Sequence, residues 1–222
     1  MTLKEGDVVA LSSKVVSIAE GRTVPIEGND KEKLMKREAQ WYYKASKSSK
    51  YRRYFTIAGG AMIGSAGIDE SNGGGYFILY PKDAFKSARA LRARLRKEYK
   101  IKELGVVITD STSLPMRRGA IGFALSWDGI DPLKDYKGTP DIFGRLIRVE
   151  MANIVDGLAV TAVLAMGEGS EQTPIAVISD AKNISFKNRS KADKEQLIVA
   201  PDDDVFAPLI WRKGWKKGGG GK

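Results

Sequence analysis

The chain contains neither cysteine nor histidine among its 222 residues. Absent cysteine removes disulfides, thiolate metal sites and thiol nucleophiles together. Absent histidine removes the Ser-His-Asp relay, the ordinary structural zinc site and the one side chain that titrates near neutrality unaided. No apolar run approaches the roughly eighteen residues of a membrane span. The opening stretch Met1-Thr-Leu-Lys-Glu-Gly-Asp is polar and lacks the apolar core of a secretory signal, so a cytoplasmic protein is expected. Chemistry in this chain must run on carboxylates, hydroxyls, lysine, arginine and a hard metal ion.

Acidic residues are also in short supply: 27 against 37 basic ones, a formal net charge of +10. Such an excess attracts nucleic acid, acidic lipid or phosphorylated small molecules. Much of it falls in three clusters: Lys44 to Arg53, the helix surface from Arg89 to Lys102, and the tail from Trp211 to Lys222. The tail carries four consecutive glycines, whose ordering is entropically costly, so residues 211–222 are expected to form a basic, glycine-rich flexible tail. The remainder, residues 1–210, reads as one domain or as two intertwined lobes.

The most informative stretch is 105–119. Gly105 to Thr109 is a short Val/Ile run of the kind found in strands covered on both faces. Asp110 follows at the expected strand exit, with hydroxyls at Ser111, Thr112 and Ser113, a turn at Pro115, and Arg117 and Arg118 beyond. Loops at strand ends collect polar groups on a rigid base. Hard oxygen donors beside a guanidinium pair suit Mg²⁺ or Mn²⁺ bound next to phosphate. The same residues also read as a capped turn with a solvated arginine pair.

Elsewhere, Asp7 to Leu11 and Lys14 to Ile18 read as strands broken at Ser12-Ser13. Residues 31–44 have helical spacing at Leu34, Met35, Glu38, Trp41 and Tyr42, with Asn29 or Asp30 as cap. Tyr54 to Ala58 and Ala61 to Ser65 form a hairpin across Gly59-Gly60. Residues 66–75 make a second loop dense in oxygen donors, and its glycines allow close backbone approach to a ligand. A strand Tyr76 to Tyr80 precedes a helix over 81–99 with a buried stripe at Phe85, Ala88, Leu91, Leu95 and Tyr99. Ala120 to Ser126 is a strand. A helix over 150–166, with Ile154, Leu158, Ala162 and Ala165 on one face, ends in Gly167-Glu168-Gly169, a glycine-flanked carboxylate. Late strands are expected at Pro174 to Ile178, Gln196 to Ala200 and Phe206 to Ile210. The irregular alternation predicts a mixed α/β or α+β fold with mixed sheets and three main helices.

Several of these segments together resemble one family. Asp7-Val-Val-Ala-Leu-Ser-Ser-Lys-Val-Val-Ser-Ile-Ala-Glu-Gly-Arg, Ala66-Gly-Ile-Asp-Glu-Ser-Asn, Ile108-Thr-Asp-Ser with Pro115 and Arg117, Asp135-Tyr-Lys-Gly with Asp141-Ile-Phe-Gly-Arg, and Met166-Gly-Glu-Gly occur in order. They look like the coenzyme F420:L-glutamate ligases, and among these a bacterial branch described as γ-glutamate ligases of folate metabolism. The resemblance implies the F420-0:gamma-glutamyl ligase fold. It also implies amide formation between a carboxylate substrate and L-glutamate through an acyl phosphate, driven by GTP (ATP being the alternative) and two Mg²⁺ or Mn²⁺ ions, with a monovalent cation such as K⁺ as a further option. By the same resemblance Asp69 and Asp110 would bind one ion, and Ser111 and Glu168 the second. Ser13, Lys14, Asn72, Met166, Gly167 and Gly169 would contact nucleotide, Asp110 and Arg117 would be catalytic, and the protein would be a homodimer. Ile18 stands where the family commonly has lysine, Ser113-Leu114 where it continues Gly-Arg, and Gly157 where an acidic residue often stands. The family's segment before Gly6-Asp7 is not in this sequence. Two alternatives stay open: a diverged nucleotide- and metal-binding protein without ligase activity, and, more weakly, a nucleic-acid binder stacking bases on Trp41, Tyr42, Tyr43 or Trp211.

Overall fold

The structure, a computed structural model, describes residues 2–45, 54–187, 196–211 and 213–221. Most of the basic cluster Lys44 to Arg53 lies outside the described residues. The fold is a mixed α+β one. It divides into two compact units, each assembled from separate stretches of chain. The first comprises Met1–Leu11, Phe85–Thr109 and Gly122–Leu197, and the second Ser12–Ala84, Asp110–Ile121 and Ile198–Lys222.

The first unit is built on a four-stranded sheet. Its strands are β1 (Asp7–Ser12), β7 (Leu104–Thr112), β8 (Ile121–Asp128) and β11 (Ile175–Ile178), in the order β11-β1-β7-β8. β11 runs antiparallel to β1, with Val8 opposite Ile178 and Leu11 opposite Ile175. Successive residues of β1, β7 and β8 are buried, so both faces of these strands are covered, as the Val/Ile run predicts. The helix α4 (Ile154–Met166) lies against the sheet, and Ala10, Ala162 and Met166 form a common cluster with Val163, Ala176 and Ile178. Gly122 explains how closely α4 approaches β8, since a Cβ there would sit 2.7 Å from the Ala159 carbonyl and 2.8 Å from Val163. Asn153 caps α4 by accepting from the Asp156 N–H, and the Asp156 carboxylate in turn accepts from the backbone N–H of Ala124.

The helix α3 (Ala84–Tyr99) packs Phe85 edge-on against buried Trp127. It also carries an unexpected buried residue, Arg92. Its Nε donates to the Leu104 carbonyl at 2.6 Å and its guanidinium pairs with buried Asp128 at 3.3 Å. Gly129, at φ +86°, leaves the space the guanidinium fills. Buried charges persist when paired and hydrogen-bonded in this way.

The second unit has shorter strands. β3 (Trp41–Lys44), β4 (Tyr54–Ala58), β5 (Ala61–Ile63) and β12 (Lys216–Lys217) form a sheet in the order β12-β3-β4-β5, and β2 (Thr23–Pro25) pairs with β6 (Tyr76–Ile78). Gly59 and Gly60 both take positive φ, as the hairpin between β4 and β5 demands. The helix α2 (Lys31–Glu38) is capped by Asp30, whose carboxylate accepts from the N–H groups of Glu32 and Lys33.

Several expectations are corrected. Residues 13–19 form a helix, α1 (Ser13–Ala19), and not a strand; it turns Ser13 and Ser17 inward and leaves Ile18 half exposed. Helix α2 stops at Glu38, because the aromatic run Trp41–Tyr43 is taken into β3 by pairing with β4. On α4 the inward residues are Val155, Leu158, Ala159, Ala162 and Met166, while Ala165 is exposed. Residues 207–210 form a helical turn, α5 (Ala207–Ile210), instead of a strand, and 196–200 pair with no sheet. The loop after β8 contains an antiparallel pair, β9 (Leu133–Asp135) and β10 (Met151–Asn153), which composition did not reveal.

The tail is also more ordered than its glycines suggest. The N–H groups of Gly218, Gly219, Gly220 and Gly221 donate to the carbonyls of Gln40, Lys36, Ala39 and Arg37. These include the carbonyls that the end of α2 leaves unbonded. Glycine is required for the approach: a Cβ on Gly218 would lie 2.2 Å from the Ala39 oxygen. Beside this contact Trp41 meets Trp211 edge-on and Trp215 lies tilted against Trp211 and Tyr43, while Tyr42 meets Tyr54 edge-on, so each aromatic considered for base stacking has a ring contact within the protein.

Candidate active site

The polar cluster of the second unit begins at an unusual turn. Ser65, Ala66 and Gly67 all adopt positive φ, 52°, 53° and 71°. Left-handed backbone at non-glycine residues is costly and tends to persist at functional sites. Thr56 stabilises the turn from below: its buried hydroxyl donates to the Ile63 carbonyl and accepts from the Ala66 N–H. The chain then passes through Asp69, which pairs both ways through its backbone with Ile78 just beyond. This register leaves the Asp69 side chain beside the segment that leads to Tyr80.

Asp69 is held by its own loop. Its Oδ1 accepts from the Ser71 N–H at 2.9 Å and from the Ser71 hydroxyl at 2.8 Å, an Asx turn. Its Oδ2 lies 2.7 Å from the Lys14 ammonium, which α1 projects from its second residue. Partial burial pushes the carboxyl group up, but the hydrogen bonds from Lys14 and Ser71 more than offset this and hold it below its ordinary range. Asp69 is therefore a carboxylate at neutral pH.

Asp110 comes from a different part of the chain. It is not at the exit of β7 but inside it, since the strand continues to Thr112. Its Oδ2 accepts a 2.5 Å hydrogen bond from the Tyr80 hydroxyl. Tyr80 is fixed at three points. Its ring lies on Gly67, where a Cβ would be 2.1 Å from the ring, its carbonyl accepts from Arg22 Nε at 2.9 Å, and its hydroxyl is committed to Asp110. Burial first, then the charge and hydrogen bond of Asp110, then the charge of Asp69, push the phenol well above its ordinary range. Tyr80 thus keeps its proton and stands as a fixed donor to Asp110.

Sequence reasoning singled out Asp69, Asp110 and Lys14, and the structure brings them into one unit with Lys14 bonded to Asp69. It missed Tyr80, Ser71 and Gly67. Tyr80 read only as the end of a strand before Pro81, and nothing in its neighbours marks it as the bridge to Asp110. Of the other candidates, Ser13 is buried on α1, Asn72 is exposed at positive φ, and Ser111 follows Asp110 on β7. Arg117 is exposed in the turn at 114–117. Met166, Gly167, Glu168 and Gly169 lie in the first unit. Met166 is buried, Gly167 ends α4 at φ +80°, Glu168 is exposed, and the Gly169 N–H donates to Glu171. Asp141, in the motif Asp141-Ile-Phe-Gly-Arg, accepts from the N–H groups of Phe143 and Arg145 and so closes its own turn.

Among the described residues no three acidic side chains gather into a ready-made metal cage. The donor set is nonetheless one of hard oxygens, two of them carboxylates on separate segments, and it fits a divalent ion that completes its shell with phosphate or water. Two aspartates, an ammonium and a proton-holding phenol make a class of site whose groups can contact cations and oxyanions.

Comparison with known proteins gives this class a family. The family model described as F420-0:Gamma-glutamyl ligase matches residues 1–180. A coenzyme F420:L-glutamate ligase of Methanopyrus kandleri is 32% identical over 92% of this chain and 86% of the relative. Proteins of the same name are 32% identical in Halobacterium salinarum, over 96% of this chain and 87% of the relative, and 31% in Methanocaldococcus jannaschii, over 92% and 86%. The chain belongs to the F420-0:gamma-glutamyl ligase family. Among the described residues no helix is long and apolar enough to cross a membrane.

Proposed function

We propose that this protein is a γ-glutamyl ligase that joins the carboxylate of an anionic acyl substrate to the amino group of L-glutamate at the expense of GTP. The observation that carries this reading is the pair of aspartates held in one unit, Asp110 by the Tyr80 hydroxyl and Asp69 by Lys14 and Ser71, in a chain of this family. In the reaction a carboxylate oxygen of the acyl substrate attacks the γ-phosphorus of the nucleotide. The bond from phosphorus to the bridging oxygen breaks, leaving the diphosphate and an acyl phosphate. The glutamate nitrogen then attacks the acyl carbon, inorganic phosphate departs with the C–O electron pair, and the nitrogen loses a proton.

The chain's own groups supply position and charge. Asp69 and Asp110 are the candidate ligands for one divalent ion, and Ser111 stays a candidate donor for a second. Mg²⁺ or Mn²⁺ bound there would offset negative charge on the phosphates. Lys14 and Arg117 are candidate phosphate contacts, Lys14 as a mobile point charge and Arg117 as a planar donor. Tyr80 holds Asp110 in one orientation without giving up its proton.

Phosphate release from GTP and from ATP, measured with glutamate and with either the deazaflavin precursor F420-0 or a folate, tests the reading and its substrate class. Mass spectrometry of the acyl product identifies the amide. Glutamate-dependent phosphate release with a glutamylated product supports the proposal. A folded protein that binds neither nucleotide with Mn²⁺ overturns it. A homodimer belongs to the same proposal, and sedimentation measures it.

A further inference from the structure

The Lys14 ammonium occupies an oxygen cage. Its Nζ lies 2.7 Å from Asp69 Oδ2, 2.9 Å from the Ser71 carbonyl and 3.2 Å from the Ser71 hydroxyl. Three acceptors thus face the three donors of one ammonium. The cage does not depend on lysine for its shape. Ser71 is tied to Asp69 by two hydrogen bonds of its own, the Gly73 N–H donates to the Glu70 carbonyl, and Asn72 is left-handed. With its side chain 22% exposed, Lys14 stands at the rim of the solvent, on a four-carbon stem that can swing while α1 stays in place.

We propose that Lys14 is the resident cation of this cage and that it couples entry of a divalent ion to arrival of the nucleotide. A divalent ion and an ammonium cannot share Asp69 Oδ2 at contact distance, because like charges repel most strongly where water is partly excluded. The triphosphate offers the ammonium a better partner than one carboxylate does. When phosphate draws Lys14 away, Asp69 and the Ser71 oxygens are released to the incoming ion. The metal-free, nucleotide-free protein is thereby kept from holding a hard cation in the wrong state. This inference rests on the ligase reading and adds to it an order of binding and the residue that enforces it.

Free Mn²⁺ measured by electron paramagnetic resonance tests it on the full chain, with and without a non-hydrolysable GTP analogue, in the wild type, Lys14→Met, Lys14→Gln and Asp69→Asn. Lys14→Met is expected to bind Mn²⁺ alone about tenfold tighter than the wild type, by removal of one competing positive charge. In that variant the analogue no longer raises Mn²⁺ affinity as it does in the wild type. Lys14→Gln gives the same result if Lys14→Met folds poorly, and Asp69→Asn weakens Mn²⁺ binding. Unchanged or weaker Mn²⁺ affinity in both Lys14 variants, beside nucleotide-dependent Mn²⁺ binding in the wild type, makes the pair a static one. That outcome overturns the coupling and leaves the ligase reading standing. A wild type that binds no Mn²⁺ under any condition overturns both.

Discussion

The two units hold themselves together by different means. The first relies on contiguous burial: Val106, Val107 and Ile108 of β7 are fully enclosed, and α4 packs onto the sheet through Gly122, Ala159 and Ala162. The second relies more on polar connections and unusual backbone: three left-handed residues in a row, a hydroxyl bridging a turn, and carboxylates held by Lys14, Ser71 and Tyr80. Apolar packing tolerates a lost hydrogen bond elsewhere, whereas a site must hold particular atoms in particular places. In this chain stability and chemistry are therefore expected to respond to different substitutions.

Asp110→Asn should break the comparison most visibly. It keeps the shape of the side chain but removes the charge, and ligation is expected to fall about 10³-fold while the melting temperature stays near that of the wild type. Glutamate-dependent phosphate release and calorimetry, run side by side, measure the two. A parallel fall in stability would mean that Asp110 is a structural residue. The converse substitution is Ile108→Ala, two positions earlier on the same strand. It should cost roughly 2–5 kcal/mol of unfolding free energy in urea, with nucleotide affinity preserved in the protein that remains folded.

Smaller changes sharpen the contrast within the second unit. Tyr80→Phe removes the donor to Asp110 and should lower ligation by about tenfold, a loss on the order of one charge-assisted hydrogen bond, with little change in the melting temperature. Gly67→Ala should lower ligation in the same direction, since the added methyl meets the ring that places the Tyr80 hydroxyl. Deleting residues 213–222 uncovers the carbonyls at the end of α2 and is expected to cost about 1 kcal/mol, read from the urea midpoint, without altering ligation. The smallest effect concerns pH. The Asp69 carboxyl is held below its ordinary range when folded, so its contribution is present above the unfolded value of 3.8 and is lost as pH falls through the folded one. Asp69→Asn should lose that contribution across the neutral region and flatten the acid side of the stability profile, so that variant and wild type converge at low pH.

Legibility varied with the range of the cause. The buried run Gly105–Thr109, the Gly59-Gly60 hairpin and a cap at Asn29 or Asp30 follow from neighbours in sequence and were readable there, and the structure selects Asp30 for the cap. Residues 13–19 were not: Val15, Val16 and Ile18 favour a strand locally, and the helix that forms instead seats Ser13 and Ser17 inward. The tail misled for a similar reason. Four glycines are costly to order alone, but their lack of Cβ is what admits them to the end of α2. Arg92 looked like one more surface charge on a basic helix, until Gly129 and Asp128 supplied a buried place for it.

By itself the sequence determined the chemical vocabulary: no thiol, no imidazole, an excess of positive charge, and carboxylates set among hydroxyls and glycines. It also determined the family, because that rests on ordered motifs along the chain. Only the tertiary structure decided which of those groups meet. Tyr80 reaches Asp110 across thirty positions, and Lys14 reaches Asp69 and Ser71 across more than fifty. Such pairings depend on strand register and on where backbones approach closely, quantities that local periodicity does not encode.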